Sequence, residues 1–444
     1  MVIVVIGISQ LDRVFYKDGL FRDTLNNFEA SSKDYDLVFI GNSHSHSSFD
    51  PRVFELELGA KTINLAAPAQ SLVTTRAVAS MLLKETKPDL VVLNIFSTSL
   101  NETNNEAYKA FQLATLDFLP HSVAKSRTIF EMFPFEEWPA AFSETIRYHH
   151  NWDTISSFNK PYNYNLRYDV YKGFATYKTT YDSVMLKKFQ HRFEKRDAVI
   201  KSLSAKQKKR IDAIIALFEK HQVPVLFINA PSRAYQLSTK FRTYAERIQE
   251  YLEENDQTML DLNRITDTLG LVKKHYRDPN HLNTRGALVV SEYLANYLKS
   301  NYEIGKSISK EELGKNRYYL MDQGFPNSIH SKNHTKDSVL FNLGFRNTHL
   351  YYTDRNRFEL AIEVDKDAFN STRMVLQYGF RDNKLDEKKF KTWITLDPED
   401  VLTYSNRHFA IVTLFPAEKK LYDLELRVLG TSNQVVLTHD SLKL

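Results

Sequence analysis

The feature that most constrains the fold is the alternation of short apolar runs with amphipathic segments between residues 34 and 298. The apolar runs are continuous and rich in Val, Ile and Leu, which is typical of buried parallel strands. They are 36–41, 61–65, 89–95, 223–229 and 258–262. Segments with helical periodicity lie at 72–85, 204–221, 241–254 and 284–299. Strands that alternate with helices predict βαβ units, a parallel sheet and helices on both of its faces.

Two further parts of the chain depart from this alternation, which leaves 31–303 as the predicted α/β domain. Residues 111–200 are crowded with aromatic side chains, and we interpret them as a long, largely helical insertion on the sheet scaffold. Residues 304–336 are polar and charged, which is typical of a linker with a short helix. Within 337–444 the pattern changes to period two, which predicts an antiparallel β-sandwich. The candidate strands are 338–345, 358–364, 373–380, 390–396, 409–415, 421–429 and 434–439.

Composition narrows the classes of function. The 444 residues include 59 Lys and Arg against 54 Asp and Glu, with no long basic run, so we expect no nucleic acid partner. Cys is absent, which excludes a disulfide framework, a Cys-ligated zinc site and a thiol nucleophile. The aromatic fraction of 13% is high, and aromatic side chains both fill cores and stack on sugar rings.

The N-terminal segment, residues 1–30, contains the one membrane-like stretch. Val2 to Ile8 is apolar but too short to span a bilayer, which needs about 20 residues. It continues without a small-residue cleavage site or a basic leader, which disfavours a signal peptide. Two interpretations stay open: a buried strand or helix start, and the remnant of a longer membrane anchor.

A serine follows the first predicted strand, in the sequence Gly41-Asn42-Ser43-His44-Ser45. In open α/β sheets, ligands bind at the carboxyl ends of the strands. A small residue and a serine at a strand-to-helix turn expose the hydroxyl there. The amide of Ser43 lies near a helix N-terminus, where N–H groups favour negative charge, and that geometry suits a tetrahedral oxyanion. Taken alone, the pattern also fits a turn with a helix N-cap.

An acid and an imidazole precede the last helix of the α/β part, in the sequence Asp278-Pro279-Asn280-His281. An Asp three residues before a His, on a loop, orients the imidazole and stabilises its charge. Such an imidazole serves as a general base toward a serine hydroxyl. The alternative is a loop Asp that caps the helix starting near Thr284.

Together, the Ser43 block after the first strand and the Asp278/His281 block before the last helix resemble the SGNH/GDSL hydrolase-like superfamily over roughly residues 34–298. The resemblance implies a flavodoxin-like three-layer α/β domain with a parallel sheet. It also implies a catalytic triad of Ser43, His281 and Asp278. A triad is recognised by the geometry and roles of its members, so their order along the chain is no obstacle.

The blocks that build the oxyanion hole in that superfamily differ here. Where the family has Asn-Leu-Gly and then a Gly, the chain continues from Asn64 to Ser71 without a glycine, and the N–H of Ala69 or of Gln70 is the expected donor beside that of Ser43. Where the family has Gly-x-Asn-Asp, no Asn stands at the expected place in residues 94–99; either Ser97 or Thr98 substitutes, or the donor is absent. Losing one such donor costs about 100- to 1,000-fold in rate, which argues against an efficient general esterase.

These departures are similar to those of SGNH-like proteins that modify cell-envelope polysaccharides, such as the alginate O-acetylation proteins and the D-alanine-transfer protein of teichoic acids. The resemblance implies serine-dependent transfer or hydrolysis of an acyl ester, an O-acetyl group above all, on a cell-surface or exported polysaccharide. It further implies an acylated glycan as substrate, a membrane acyl-donor protein as partner and no cofactor. The implied location is the bacterial periplasm or cell surface, with the N-terminus as an anchor.

Further polar residues are candidate substrate contacts beside these blocks or in the insertion. They are His44, Gln70, Asn229, Arg233, Arg147 and His149. The competing interpretation of each is structural: a helix cap, a turn, or a helix face packed on the sheet. His44 and His46, with His281, lack the ligand spacing typical of zinc, so we predict no metal site.

Two rival functions stay open. One is a non-catalytic glycan-binding protein whose β-sandwich is the binding unit, and the other is a structural component of an envelope polysaccharide system. The β-sandwich segment is rich in aromatic residues, which suit either a carbohydrate-binding surface or the sandwich core. They are Tyr351, Tyr352, Tyr378, Phe380 and Trp393.

Overall fold

The chain forms two compact units, Met1–Ile308 and Ser309–Leu444, in a computed structural model. The structure describes residues 12, 20–100, 106–150, 171–177, 179–195, 197–314, 316–325, 328–354, 357–369, 374–382, 392–396, 401–404, 406–414, 421–429 and 434–443. The apolar run 2–8 and residues 151–170 of the predicted insertion lie outside these ranges. Within them, no helix combines the length and the apolarity that crossing a bilayer requires.

The first unit contains a five-stranded sheet in which every pairing is parallel. Its strands are β1 (Leu37–Ile40), β2 (Thr62–Asn64), β3 (Leu90–Asn94), β4 (Val225–Asn229) and β5 (Met259–Asp261). The spatial order is β2-β1-β3-β4-β5, which is the order of flavodoxin-like doubly wound sheets. The five apolar runs of the sequence form these strands, so the predicted parallel sheet is confirmed.

The helices of the first unit surround this sheet. They are α1 (Leu20–Ala30), α2 (Ser43–Ser48), α3 (Pro51–Leu58), α4 (Leu72–Glu85), α5 (Glu106–Leu116), α6 (Val123–Met132), α7 (Trp138–Phe142), α8 (Glu144–Tyr148), α9 (Ser183–Glu194), α10 (Ala205–His221), α11 (Arg233–Leu237), α12 (Thr239–Glu253) and α13 (Thr284–Asn301). Polar caps define where they begin. Ser204 and Gln207 form a capping box at α10, and the Asn283 side chain accepts two N–H groups of the first turn of α13.

Alternate side chains of β1 enter two different hydrophobic cores, because successive residues of a strand point to opposite faces of the sheet. Val38 and Ile40 pack with apolar side chains of α1, α4, α10 and α12. Leu37 and Phe39 pack with those of α3 and α13. Helices therefore cover both faces of the sheet, and its strands can be apolar throughout. All four residues of β1 are apolar and buried, and the polar residues 42–48 follow directly at its carboxyl end.

The segment predicted as a helical insertion contains α5 to α9 in its described parts. Ile129 of α6 and Ala141 of α7 are buried in the same core as α4. These helices therefore extend one layer of the α/β unit. In contrast, α9 has no buried residue.

The second unit contains two antiparallel sheets, in the orders β11-β12-β8-β7-β6 and β10-β9-β13-β14. Its strands are β6 (His330–Asn333), β7 (Phe345–Asp354), β8 (Arg357–Val364), β9 (Met374–Asp382), β10 (Thr392–Leu396), β11 (Val401–Tyr404), β12 (Arg407–Leu414), β13 (Leu421–Leu429) and β14 (Gln434–Lys443). Its helices are α14 (Lys310–Leu313), α15 (Arg317–Gln323), α16 (Ser338–Asn342) and α17 (Lys366–Phe369). The antiparallel architecture agrees with the period-two pattern.

At the start of this unit, the structure differs from what the sequence pattern predicts. The stretch predicted as a linker, 304–336, contains α14 and α15, and its strand β6 pairs with β7. The first predicted strand, 338–345, is mostly the helix α16. Asp337 is the reason, because its side chain accepts the Leu340 N–H and caps a helical turn.

Candidate functional site

The turn after β1 is shaped by a glycine. Gly41 has a φ of +136°, and a Cβ atom there would lie 2.8 Å from the backbone oxygen of Asn94 at the end of β3. A side chain at this position would therefore push β1 and β3 apart. The close approach lets the chain leave the sheet abruptly, so that Ser43 becomes the first residue of α2.

Asn42 fixes the turn with its side chain. Its Oδ1 accepts the His44 N–H at 3.0 Å, which caps α2, and also accepts Nδ2 of Asn94 at 3.1 Å. Its Nδ2 donates to Ser99 Oγ at 2.9 Å. Asn94 in turn accepts the Ala230 N–H at 3.0 Å. This buried network ties the carboxyl ends of β1, β3 and β4 together.

The predicted nucleophile, base and acid lie side by side. Ser43 Oγ is 2.8 Å from His281 Nε2, and His281 Nδ1 is 3.0 Å from both carboxylate oxygens of Asp278. Nδ1–H donates to the carboxylate, which leaves Nε2 as an acceptor for the serine hydroxyl. These three side chains come from two segments far apart in the sequence, and they form a hydrogen-bonded Ser–His–Asp triad.

The loop that carries Asp278 and His281 is held by backbone contacts. Arg277 N–H donates to the His281 carbonyl at 3.0 Å, and the Pro279 carbonyl accepts the Ala234 N–H of α11 at 2.9 Å. Asp278 Oδ1 accepts the N–H groups of Asn280 and His281. Asp278 therefore organises its own loop, whereas the cap of α13 is Asn283. The alternative in which Asp278 caps that helix is not what the structure contains.

The charge on Asp278 is strongly stabilised. Burial alone would raise the pKa of this carboxyl. The hydrogen bond and the charge of His281, the Asn280 N–H and the positive charge of Arg277 outweigh that effect and lower its pKa to about 2. Arg277 contributes directly, since its Nε donates to Asp278 Oδ2 at 3.0 Å. The carboxylate is therefore ionised throughout the neutral pH range and is ready to stabilise an imidazolium on His281.

Two further imidazoles lie next to this triad in closed surroundings. His44 is 3% exposed, and its ring lies 4.0 Å from that of Phe96 and 4.8 Å from that of His281, centroid to centroid. Burial lowers the pKa of His44 well below its ordinary value, and it lowers the pKa of His46 to about 3. Both rings are therefore neutral at neutral pH. His44, which the sequence predicts as a substrate contact, is packed between Phe96 and His281.

The predicted oxyanion donors lie around the same turn. The Ala67 N–H donates to the Gly41 carbonyl at 3.1 Å. This bond brings the turn that contains Ala69 beside the turn that precedes Ser43. Ala69 has a left-handed φ of 52°, and its carbonyl accepts Gln112 Nε2 at 2.6 Å. The N–H groups of Ser43 and Ala69 donate to no residue in the described part of the chain. Ser97 and Thr98 begin a 3-10 turn after β3, and their side chains lie outside the described structure.

The other candidate contacts near the sheet edge are largely buried. The Gln70 side chain is fully buried, and its amide nitrogen and oxygen have no hydrogen-bond partner in the described chain. Asn229 Nδ2 donates to Asp261 Oδ1 at 3.0 Å, so this amide joins β4 to β5. Arg233 is the first residue of α11, and its Nε is buried without a partner in the same part of the chain.

The two candidates in the insertion have local partners. Arg147 forms a two-pronged ion pair with Asp117, at 2.9 Å for each hydrogen bond, and its Nε donates to the Ala140 carbonyl. His149 is exposed, and its Nδ1 lies 2.7 Å from the Ile146 carbonyl. Arg147 therefore joins helices of the insertion, and the structure shows no contact of either side chain with the triad among the described residues.

No family model and no curated protein matches the chain. Among solved structures, it is similar to a two-domain esterase (CEX) active on acetylated mannans, with 11% identity, a TM-score of 0.30, and coverage of 96% of this chain and 95% of that chain. It is also similar to the β-glucosidase EmGH1 from Erythrobacter marinus, with 9% identity, a TM-score of 0.21, and coverage of 93% of this chain and 48% of that chain. Because these TM-scores are below 0.5, the fold and activity of those proteins are not carried over to this chain.

One residue of the site was missed at the sequence level. Arg277 donates to the Asp278 carboxylate, and its guanidinium carbon lies 3.6 Å from the ring centroid of Tyr177. Its position directly before Asp278 was the one available signal. Among the described residues, no group of three or more His, Asp and Glu side chains is arranged to hold a metal ion.

Proposed function

We propose that this protein is a serine-dependent acyl-ester hydrolase or acyltransferase of the SGNH type. The observation that carries the proposal is the 2.8 Å contact between Ser43 Oγ and His281 Nε2, with the imidazole held on its other side by Asp278. A hydroxyl next to a neutral imidazole nitrogen is activated for nucleophilic attack. Ser43 and His281 are each only partly buried, so a substrate can approach them.

The first half of the reaction forms an acyl-enzyme. His281 Nε2 takes the proton of Ser43 as Oγ bonds to the ester carbonyl carbon, and Asp278 stabilises the resulting imidazolium. The negative charge that develops on the carbonyl oxygen is stabilised by the N–H groups of Ser43 and Ala69. When the bond to the leaving oxygen breaks, His281 returns the proton to that oxygen, and the acyl group remains on Ser43.

The second half resolves the acyl-enzyme. His281 takes a proton from water or from a sugar hydroxyl as its oxygen attacks the acyl carbonyl carbon. The bond to Ser43 Oγ breaks, and Oγ recovers the proton from His281. Water gives hydrolysis, and a sugar hydroxyl gives transfer, so the same residues support both outcomes.

The substrate class is the finer part of the proposal. We infer an O-acyl group, acetyl above all, on a cell-surface or exported polysaccharide, and a location outside the cytoplasm. The support for this is the sequence resemblance to envelope-modifying SGNH-like proteins and the departure of the oxyanion blocks from those of general esterases. A membrane acyl-donor partner belongs to the transferase form of the proposal.

The experiment is hydrolysis of 4-nitrophenyl acetate, combined with labelling by a fluorophosphonate probe and mapping of the labelled residue by mass spectrometry. We expect the label on Ser43, and we expect Ser43→Ala to lose both labelling and turnover. A parallel assay with an O-acetylated glycan measures free acetate in water and acetylated product when an acceptor oligosaccharide is added.

Ser48→Ala is the matched control. Ser48 lies at the other end of α2, and its hydroxyl is buried without a partner in the described chain, so its removal breaks no hydrogen bond. Equal turnover by the wild type and by Ser43→Ala, or a label on another serine, would contradict the proposal.

A further inference from the structure

The turn between β2 and α4 is attached to the protein on both sides of Ala69. Before Ala69, the Ala67 N–H donates to the Gly41 carbonyl at 3.1 Å, which ties the turn to the end of β1. After it, the Ser71 side chain caps α4. The Gln70 N–H already donates to the Ala67 carbonyl at 3.3 Å. The Ala69 N–H is therefore the donor that this turn has left for a substrate oxygen.

Ala69 has a backbone conformation that alanine rarely adopts. Its φ of 52° lies in the left-handed region, which glycine adopts freely and which brings the Cβ atom of other residues too close to the backbone. A residue other than glycine persists there only when the surrounding structure holds it. Because rotation about the N–Cα bond sets the direction of the N–H relative to the chain that follows, whatever holds this φ also aims the donor.

Gln112 of α5 supplies that support. Its Nε2 donates to the Ala69 carbonyl at 2.6 Å. Its Oε1 accepts the Ser71 N–H at 3.1 Å and the Thr74 hydroxyl at 2.7 Å, and the whole residue is buried. An amide carries a donor and an acceptor side by side, so this one side chain bridges the backbone groups of Ala69 and Ser71.

Loss of this amide would change the turn in a predictable direction. The Ala69 carbonyl and the Ser71 N–H would lose their partner, and a polar group that is buried without a partner is unfavourable. The turn would relax toward an ordinary φ at Ala69, which turns the Ala69 N–H away from Ser43. An oxyanion donor acts on charge that develops in the transition state, so the loss would appear in kcat and not in KM.

We propose that Gln112 is a positioning residue for the oxyanion hole. It holds Ala69 in the left-handed conformation that directs the Ala69 N–H toward the ester carbonyl oxygen at Ser43. This inference rests on the proposed acyl-ester chemistry and goes beyond it, because it gives the helical insertion that contains Gln112 a role in catalysis. Residues 64–71 contain no glycine, so the turn needs support from outside.

The test measures 4-nitrophenyl acetate hydrolysis by Gln112→Met, which keeps the length of the side chain and removes both hydrogen-bonding groups. We expect kcat to fall by about tenfold to a hundredfold, toward the loss that follows removal of an oxyanion donor, and KM to change by less than about twofold. The pH profile of kcat/KM should keep its apparent pKa, because the Ser43–His281 pair is untouched. Gln112→Asn is one methylene too short for the bridge, and it should lower kcat in the same way.

Gln207→Met is the matched control. Gln207 of α10 is also buried, and its amide accepts the Ser204 N–H and donates to the Tyr244 hydroxyl. This variant loses a comparable pair of hydrogen bonds and should keep the wild-type kcat. An equal fall in kcat in the Gln112 and Gln207 variants, or an unchanged kcat in a folded Gln112→Met or Gln112→Asn, would overturn the inference.

A second substitution separates positioning from general packing. Glycine adopts a left-handed φ without strain, so the double variant Gln112→Met/Ala69→Gly should recover part of the kcat that Gln112→Met loses. A double variant that is no faster than Gln112→Met would show that the conformation of Ala69 is not what Gln112 supports.

Hydrogen–deuterium exchange, measured by mass spectrometry, distinguishes failure of this inference from failure of the proposed function. It needs no turnover. The peptide that covers residues 66–74 should exchange faster in Gln112→Met by about tenfold or more, and at the wild-type rate in Gln207→Met. If it does so while the wild type hydrolyses no ester, Gln112 holds the turn and the proposed function is wrong. Unchanged exchange in Gln112→Met would show that Gln112 does not hold the turn, whatever the protein hydrolyses.

Discussion

The Asp278 carboxylate receives four hydrogen-bond donors: two backbone N–H groups, the His281 ring and the Arg277 guanidinium. Such a concentration of donors on one side chain stabilises the ionised form against the effect of burial. The same residue therefore holds the loop in shape and orients the His281 ring. Its contribution to folding depends on pH in a way that can be measured.

Asp278→Asn should destabilise the protein by about 2 kcal/mol at pH 7, because the folded pKa of about 2 lies below the ordinary value of 3.8. A carboxyl with a lowered folded pKa adds stability above its unfolded pKa and loses it as pH falls through the folded value. The difference between wild type and variant should therefore be constant above about pH 5 and shrink between about pH 4 and pH 2. Urea unfolding followed by circular dichroism measures it.

Asp256→Asn is the control for this prediction. Asp256 lies in an exposed turn with a left-handed φ of 57°, which Asn also tolerates. The Asp256→Asn substitution removes the same negative charge without removing a buried hydrogen-bond network. A loss of stability in Asp278→Asn that does not change between pH 7 and pH 3 would show that ionisation of Asp278 does not contribute.

At the scale of elements, the triad is assembled by segments that pack at the carboxyl edge of the sheet. The helix α13 lies against α2 and α3, and the Ser291 hydroxyl donates to the Ser48 carbonyl at 3.3 Å and accepts the Asp50 N–H at 3.0 Å. The loop before α13 is thus brought to the turn after β1. The separation of His281 from Ser43 is set by this packing.

Gly286 controls how closely α13 approaches its own preceding loop. A Cβ atom there would lie 2.3 Å from the His275 carbonyl oxygen and 2.9 Å from Leu282 Cδ2. Gly286→Ala should therefore cost about 1–3 kcal/mol in stability, as expected for overpacking. It should also lower ester turnover, since the displaced backbone carries His281. Urea unfolding and 4-nitrophenyl acetate hydrolysis check both effects.

Gly314→Ala is the matched control. Gly314 lies in the second unit, and a Cβ atom there would be 3.2 Å from its nearest neighbour, the Lys310 carbonyl oxygen. We expect turnover equal to that of the wild type. If Gly286→Ala also unfolds and reacts like the wild type, close contact between α13 and the loop is not what positions His281.

The sequence alone was sufficient to predict the elements that carry the triad, and the reason is physical. A parallel sheet is the arrangement that buries five continuous apolar runs, and parallel strands bring their carboxyl ends to one edge of the sheet. Ser43 follows one of those ends directly, which is why its placement was predictable. The contact of Arg277 with Tyr177 was not, because it joins residues 100 positions apart that share no periodic pattern.

At the scale of the whole molecule, the second unit was harder to predict from sequence. Val339, Leu340 and Phe341 fit a strand by composition, yet Asp337 caps them as a helical turn. A short apolar run cannot be assigned to helix or strand by periodicity alone. The predicted carbohydrate-binding surface remains a prediction. Of its aromatic residues, Tyr351 is 2% exposed and bonded to Glu359, whereas the other four side chains lie outside the described structure.

The division into two units leads to a prediction about where catalysis resides. The triad, its hydrogen-bond partners and the oxyanion candidates all belong to Met1–Ile308. Ser307 bonds to Asp36, and the Ile308 N–H donates to the Gly59 carbonyl, so a chain ending at Ile308 keeps its last contacts with the α/β unit. We expect this truncated chain to fold cooperatively and to hydrolyse 4-nitrophenyl acetate with the kcat/KM of the full chain.

The same truncation carrying Ser43→Ala is the control and gives the background rate. Loss of turnover in a truncated chain that retains a cooperative unfolding transition would show that residues after Ile308 complete the active site, and the assignment of catalysis to the first unit would then be wrong.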